Sequence, residues 1–137
     1  MDDRELIRLA YQARASAHAP YSGFRVGAAL LTNSGKVYTG CNIENASYGA
    51  SNCAERTAFF KAVSEGEREF TAIAIVGGPE GKQPDGICPP CGVCRQVMME
   101  FCDPELFEIV LEDSGKEMRT FLLKEILPYG FGPDNLI

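Results

Sequence analysis

The chain sets Cys53-Ala54-Glu55-Arg56 ahead of Pro90-Cys91-Gly92-Val93-Cys94. That pairing offers three thiols to one metal ion, with a carboxylate two residues from a ligand. Three protein ligands leave the fourth vertex of a tetrahedral zinc open, and the metal acidifies water bound there. The fold is constrained accordingly. Cys91 and Cys94 stand at i and i+3 across the first turn of a helix, so their sulfurs share one side. Cys53 immediately precedes a second helix, so two helix starts must converge on one ion. Their partial positive charge lowers thiol pKa values and favours the thiolates that zinc requires. Glu55 is placed to shuttle protons for the bound water, which is hydrolytic chemistry. Zinc with three thiolates keeps a net charge of about −1, so its water is less acidic than at a histidine site. Arg56 is positioned to donate to ligand sulfurs and draw charge off the metal, and Arg95 is a secondary candidate.

A closed site competes with this one. Cys88 lies three residues before Cys91 and, with Cys53, Cys91 and Cys94, completes four thiols for a structural zinc. A lone Cys-x-x-Cys is shared by redox pairs, structural zinc sites and chance. Glu55 tips the balance to the open site, because a closed one has no use for a neighbouring carboxylate that is not a ligand. His18, the only histidine, stands apart from these residues and is left out. Cys41 and Cys102 read as buried free thiols.

The remaining pattern alternates strands with helices. Leu6, Ala10, Ala13 and Ala17 recur at helical spacing with Asp3 as the expected N-cap. Arg25 to Thr32 and Lys36 to Cys41 read as strands joined at Asn33-Ser34-Gly35, and Ile43 to Asn52 as a polar loop. Ala54 to Ser64 reads as a helix, Phe70 to Val76 as a buried strand, and Gly77 to Pro90 as a long functional loop. A helix carries Cys94, Val97, Met98 and Phe101. Strands at Phe107 to Leu111 and Glu117 to Thr120, turning at Asp113-Ser114-Gly115, precede a short helix to Leu127. The expected class is α/β, one mixed sheet covered by helices. At 137 residues the chain is expected to be one domain, residues 1–137.

Charge narrows the partner. A net charge of −6 without a basic run is poorly suited to a phosphate backbone, so a small uncharged substrate is expected and no nucleic acid. No stretch has the length and apolarity of a membrane span, and Met1-Asp2-Asp3-Arg4-Glu5 has no export-signal pattern. The six cysteines are therefore expected as thiols in a reducing cytoplasm.

Taken together, Cys53-Ala54-Glu55 and Pro90-Cys91-Gly92-Val93-Cys94-Arg95-Gln96 resemble the zinc nucleoside deaminases, specifically the small cytidine deaminases. So do Ala19-Pro20-Tyr21-Ser22-Gly23-Phe24, Val26-Gly27-Ala28-Ala29-Leu30, Gly40-Cys41-Asn42-Ile43-Glu44-Asn45-Ala46-Ser47-Tyr48, and Leu127-Pro128 with Phe131. The matches span nearly the whole chain. The resemblance implies a three-layer α/β/α fold with about five strands in the sheet, and one Zn2+ per chain held by Cys53, Cys91 and Cys94. It implies hydrolytic deamination of cytidine and deoxycytidine in pyrimidine salvage, with zinc-held water attacking C4 and Glu55 as general acid/base. Asn42 and Glu44 resemble the pair that binds the ribose 3′-hydroxyl, and Phe24 the aromatic that packs on the pyrimidine. Ala54 N–H would hold O2, and Pro90 would shape the pocket for the leaving amine. Ala46, Tyr48 and Phe131 match positions that reach a neighbouring subunit's site in a homotetramer. Taken singly, an Asx-turn accounts for Asn42, solvation for Glu44, and core or interface packing for Phe24 and Phe131. Three rival classes are a deaminase for another aminopyrimidine nucleoside such as blasticidin S, a nucleic-acid editing deaminase and a non-enzymatic zinc module.

Overall fold

The computed structural model describes residues 1–137. Five strands run in chain order: β1 (Phe24–Thr32), β2 (Val37–Cys41), β3 (Phe70–Pro79), β4 (Glu108–Glu112) and β5 (Met118–Leu122). Four helices accompany them: α1 (Asp3–Arg14), α2 (Ala54–Ser64), α3 (Gly92–Phe101) and α4 (Leu123–Ile126). The strands form one sheet in the order β2-β1-β3-β4-β5. Only β3 and β4 pair in parallel; the other neighbours are antiparallel. This is the mixed α/β sheet expected from the sequence.

Alternation along the strands assigns the two faces. Ala29, Ala72, Ala74, Val76 and Val110 face α1, which buries Leu6, Ile7 and Ala10. Ala28, Leu30, Ile73, Ile75, Ile109 and Leu111 face the other helical layer, represented in the same core by Ala58, Phe59, Met98 and Leu123. Phe59 anchors α2, with its ring centroid 5.2 Å from that of Phe70 and 6.0 Å from that of Phe107. A helix thus covers each face. Two glycines let the helices press close. A Cβ on Gly27 would fall 2.0 Å from Ala10 O, and one on Gly40 would fall 2.5 Å from Ala54 O. The second contact holds the start of α2 against β2, which fixes where Cys53 emerges.

Several boundaries differ from the sequence reading. Asp2, not Asp3, caps α1, its Oδ1 accepting Glu5 N–H at 2.8 Å. The helix ends at Arg14, so Ala17 is buried beyond it. β3 continues to Pro79 because Gly77, Gly78 and Pro79 pair with Val26, Arg25 and Phe24. That tertiary pairing overrides the poor strand preference of Gly and Pro. β5 lies at Met118–Leu122 instead of Glu117 to Thr120. The polar loop is closed at its ends by reciprocal Ile43–Asn52 backbone bonds of 2.9 Å and includes a 3-10 turn at Tyr48–Ala50. Cys41 and Cys102 are free thiols and only half-buried. No helix is long and apolar enough to cross a membrane.

Candidate metal centre and active site

Cys53 occupies the N-cap of α2 and Cys91 the N-cap of α3, and neither side chain caps its helix. A serine or aspartate there would bond back to the helix, whereas these sulfurs remain free for an ion. Cys94 sits inside the first turn of α3 and is fully buried. The Sγ atoms of Cys53, Cys91 and Cys94 all lie within 4.8 Å of one another. Cys53 and Cys91 are 3.7 Å apart at sulfur. A tetrahedron with Zn–S bonds of about 2.3 Å has an edge of about 3.8 Å, so the cluster has the dimensions of a zinc site. Soft thiolates suit the same metal.

Charge around the sulfurs is uneven. A hydrogen bond from the Cys94 thiol, followed by one from Arg56, pulls the Cys53 thiol down to about 5. Arg56 Nη2 donates to Cys53 Sγ at 3.2 Å. The same Cys53 contact, reinforced by burial, pushes the Cys94 thiol up. Without metal the pair therefore shares a proton, which an ion would displace. Arg95 goes elsewhere. Its guanidinium donates to the carbonyls of Pro90 and Ile126, so the expectation that it reaches a sulfur is corrected.

Beside the cluster opens a cavity of about 350 Å³, of a size for a small ligand. Asn42, Glu44, Tyr48, Cys53, Ala54, Glu55, Arg56 and Cys91 line it. Glu55, on the first turn of α2, is 4% exposed. Burial pushes its carboxyl up to about 7, with the negative Cys53 adding to the rise. Ala54 is the first residue of α2, so its N–H has no intrahelical partner, and the residue lines the cavity.

Asn42 and Glu44 are already committed to the backbone. Asn42 Oδ1 accepts Val26 N–H at 2.9 Å, and Nδ2 donates to Phe24 O at 2.8 Å. Glu44 Oε1 accepts from Tyr21 N–H and Ser22 N–H, both at 3.0 Å, and the Ser22 hydroxyl donates to Oε2. Those bonds, the hydroxyl first, hold the Glu44 carboxyl below its ordinary range. Each side chain keeps capacity for a ligand: a second amide hydrogen on Asn42 and remaining lone pairs on Glu44.

Other candidates lie outside the lining. Phe24, Ala46 and Phe131 are exposed and do not border the cavity. Pro90 is buried and does not border it either, whereas its neighbour Pro89 does. Cys88 lines the wall, but it is not in the three-thiol group, and burial pushes its thiol up to about 12. A fourth ligand from Cys88 is not what the chain has built. Val26, Ser51, Asn52 and Pro89 also line the cavity, although the sequence assigned none of them a role in the site. Asn52 and Pro89 adjoin the metal motif and Val26 opens the Val26-Gly27-Ala28-Ala29-Leu30 stretch, so these were within reach of the sequence, whereas nothing in it marked Ser51.

Residues 1–109 match the family model for the cytidine and deoxycytidylate deaminase zinc-binding region. The chain belongs to the cytidine deaminase family. It is 49% identical over 136 residues to the cytidine deaminase of Halalkalibacterium halodurans, covering 99% of this chain and 98% of that one. The cytidine deaminase of Sporosarcina psychrophila is 46% identical over 136 residues, covering 99% and 96% respectively. The crystal structure of cytidine deaminase from Burkholderia pseudomallei superposes with a TM-score of 0.86 at 50% identity, covering 96% of this chain and 100% of that one. The three-layer deaminase fold expected from the motifs is thus the fold the chain has, and a zinc-binding deaminase family accounts for the three-thiol cluster.

Proposed function

We propose that the chain, as a single deaminase domain spanning residues 1–137, hydrolyses cytidine and deoxycytidine to uridine and deoxyuridine with release of ammonia. The observation that carries this reading is the buried Glu55 carboxylate on the cavity wall, two residues from one thiol of a zinc-sized cluster. Cys53, Cys91 and Cys94 would hold the zinc, which when bound would supply an acidified water for the attack. Glu55 takes one proton from the attacking water and passes it to pyrimidine N3 as the water oxygen bonds to C4. It then takes the second proton from the new C4 hydroxyl and gives it to the amine as the C4–N bond breaks, leaving the C4 carbonyl and ammonia. Its burial supports this work, because a carboxyl raised to about 7 exchanges protons in both directions near neutral pH.

The other residues bind and orient. Ala54 N–H, free at the helix start, is the donor for O2. Asn42 and Glu44 hold the ribose 3′-hydroxyl with the capacity left over from bracing Phe24 and Ser22. Phe24 packs on the ring, Pro90 backs the wall near the leaving amine, and Arg56 draws charge from Cys53.

The working enzyme is a homotetramer in which Ala46, Tyr48 and Phe131 reach a neighbour's site. Tyr48 is 75% and Phe131 56% exposed, and Tyr21 stacks edge-on against Tyr48 with centroids 5.9 Å apart. Aromatic surface of this kind is characteristic of interfaces. The enzyme acts in a reducing cytoplasm, in pyrimidine salvage. Loss of the cytidine absorbance with matching ammonia release tests the reaction. Sedimentation tests the assembly, and a monomer with full activity would rule out shared sites.

A further inference from the structure

The three metal-facing thiols are secured unequally. Cys94 is fully buried in its helix, and Cys53 takes the Arg56 guanidinium on its sulfur. Cys91 is exposed, caps its helix without a side-chain bond, and follows the loop that leaves β3 after Pro79. Something else has to hold it. Arg95 grips the backbone on both sides of Cys91. Its own N–H donates to Cys91 O at 3.0 Å, as a helical bond, and its Nε–H donates to Pro90 O at 2.8 Å. Nη1 then anchors the guanidinium on Ile126 O, at the end of α4. Such a carbonyl has no partner inside its own helix. The planar fork of arginine can serve both carbonyls at once, which a lysine ammonium on a flexible stem does poorly.

We propose that Arg95 is a positioning residue that clamps Cys91 in its ligating place, so that metal retention depends on this bridge from the metal loop to α4. The proposal rests on the reading of Cys53, Cys91 and Cys94 as the zinc ligands. The clamp never touches the ion or the sulfur. Its effect is therefore on zinc affinity first, and on turnover only through metal loss.

Competition with a chromophoric chelator measures zinc affinity in the unaltered protein, R95K and R95A. Denaturant unfolding of the zinc-loaded and zinc-free forms runs alongside. Loss of an outer-shell partner weakens metal binding by about 10–100-fold, and that is the loss expected for R95A. R95K, which retains charge but not the fork, should fall between. The zinc-loaded form should lose more stability than the zinc-free form, by the amount that the affinity change requires. Equal destabilisation of both forms with unchanged affinity would make Arg95 merely structural and overturn the proposal. If R95A fails to fold, R95K decides alone: unchanged affinity overturns the clamp, and a several-fold loss supports it. Absence of zinc binding by the unaltered chain overturns the underlying metal reading, whereas equal affinity in chain and variant overturns this inference only.

Discussion

Cys53 Sγ and Cys91 Sγ stand 3.7 Å apart although 38 residues separate them in the chain. The distance is set by two helix starts. Gly40 lets α2 press against β2, and the pairing of β3 beside β1 brings the following loop back to the same end of the sheet. A tetrahedral edge is thereby built from backbone placement.

Metal binding should strengthen with pH. Cys94 is held protonated by its bond to Cys53 and by burial, so an ion must displace that proton. Each proton released makes affinity rise about tenfold per pH unit. Zinc titrations between pH 6 and pH 8 check this, and a flat profile would mean that Cys94 is already ionised.

Metal stoichiometry should be indifferent to Cys88. Its thiol lines the cavity but stands outside the metal group. C88A should keep one zinc per chain by elemental analysis. A fall in zinc content would restore the four-thiol structural site.

Asn42 should matter twice. Its amide braces Val26 and Phe24, so N42A should lose about 1–3 kcal/mol in denaturant unfolding. It should also raise KM for nucleosides more than for the free base, which lacks the ribose. An equal effect on both would confine Asn42 to the fold.

Glu55 makes the metal-free protein sensitive to pH. Its folded pKa of about 7 lies above its ordinary value of 4.5. The folded state therefore holds the extra proton between those values, and stability falls as pH rises through that window. At about 1.4 kcal/mol per pH unit, the loss approaches about 3 kcal/mol. The glutamine variant cannot ionise. The stability difference between wild type and E55Q, both without metal, should shift by that order from pH 4.5 to pH 7.

The sequence displayed the thiols, Glu55 and the helix starts because these are local patterns with a chemical reason for their spacing. It also displayed the strand–helix alternation. What it hid depends on distant partners. Arg95 looked like a sulfur donor because it adjoins Cys94, and its true destination includes Ile126, 31 residues on. Gly77-Gly78-Pro79 looked like a loop because only pairing with Phe24, Arg25 and Val26 makes it a strand. Asn42 and Glu44 were visible as polar loop residues. Their grip on Phe24, Val26, Tyr21 and Ser22 required the fold.

Deamination of cytidine by Glu55 beside a three-thiolate zinc stands or falls on one comparison. Cytidine turnover by the zinc-loaded chain and by E55Q, each verified at one zinc per chain, tests it most directly. The first should convert cytidine to uridine with equal ammonia release. The second should lose at least about 10²-fold, reaching towards about 10⁴-fold, with zinc and fold retained. Near-normal turnover by E55Q, or no conversion by the zinc-loaded wild type, would contradict it.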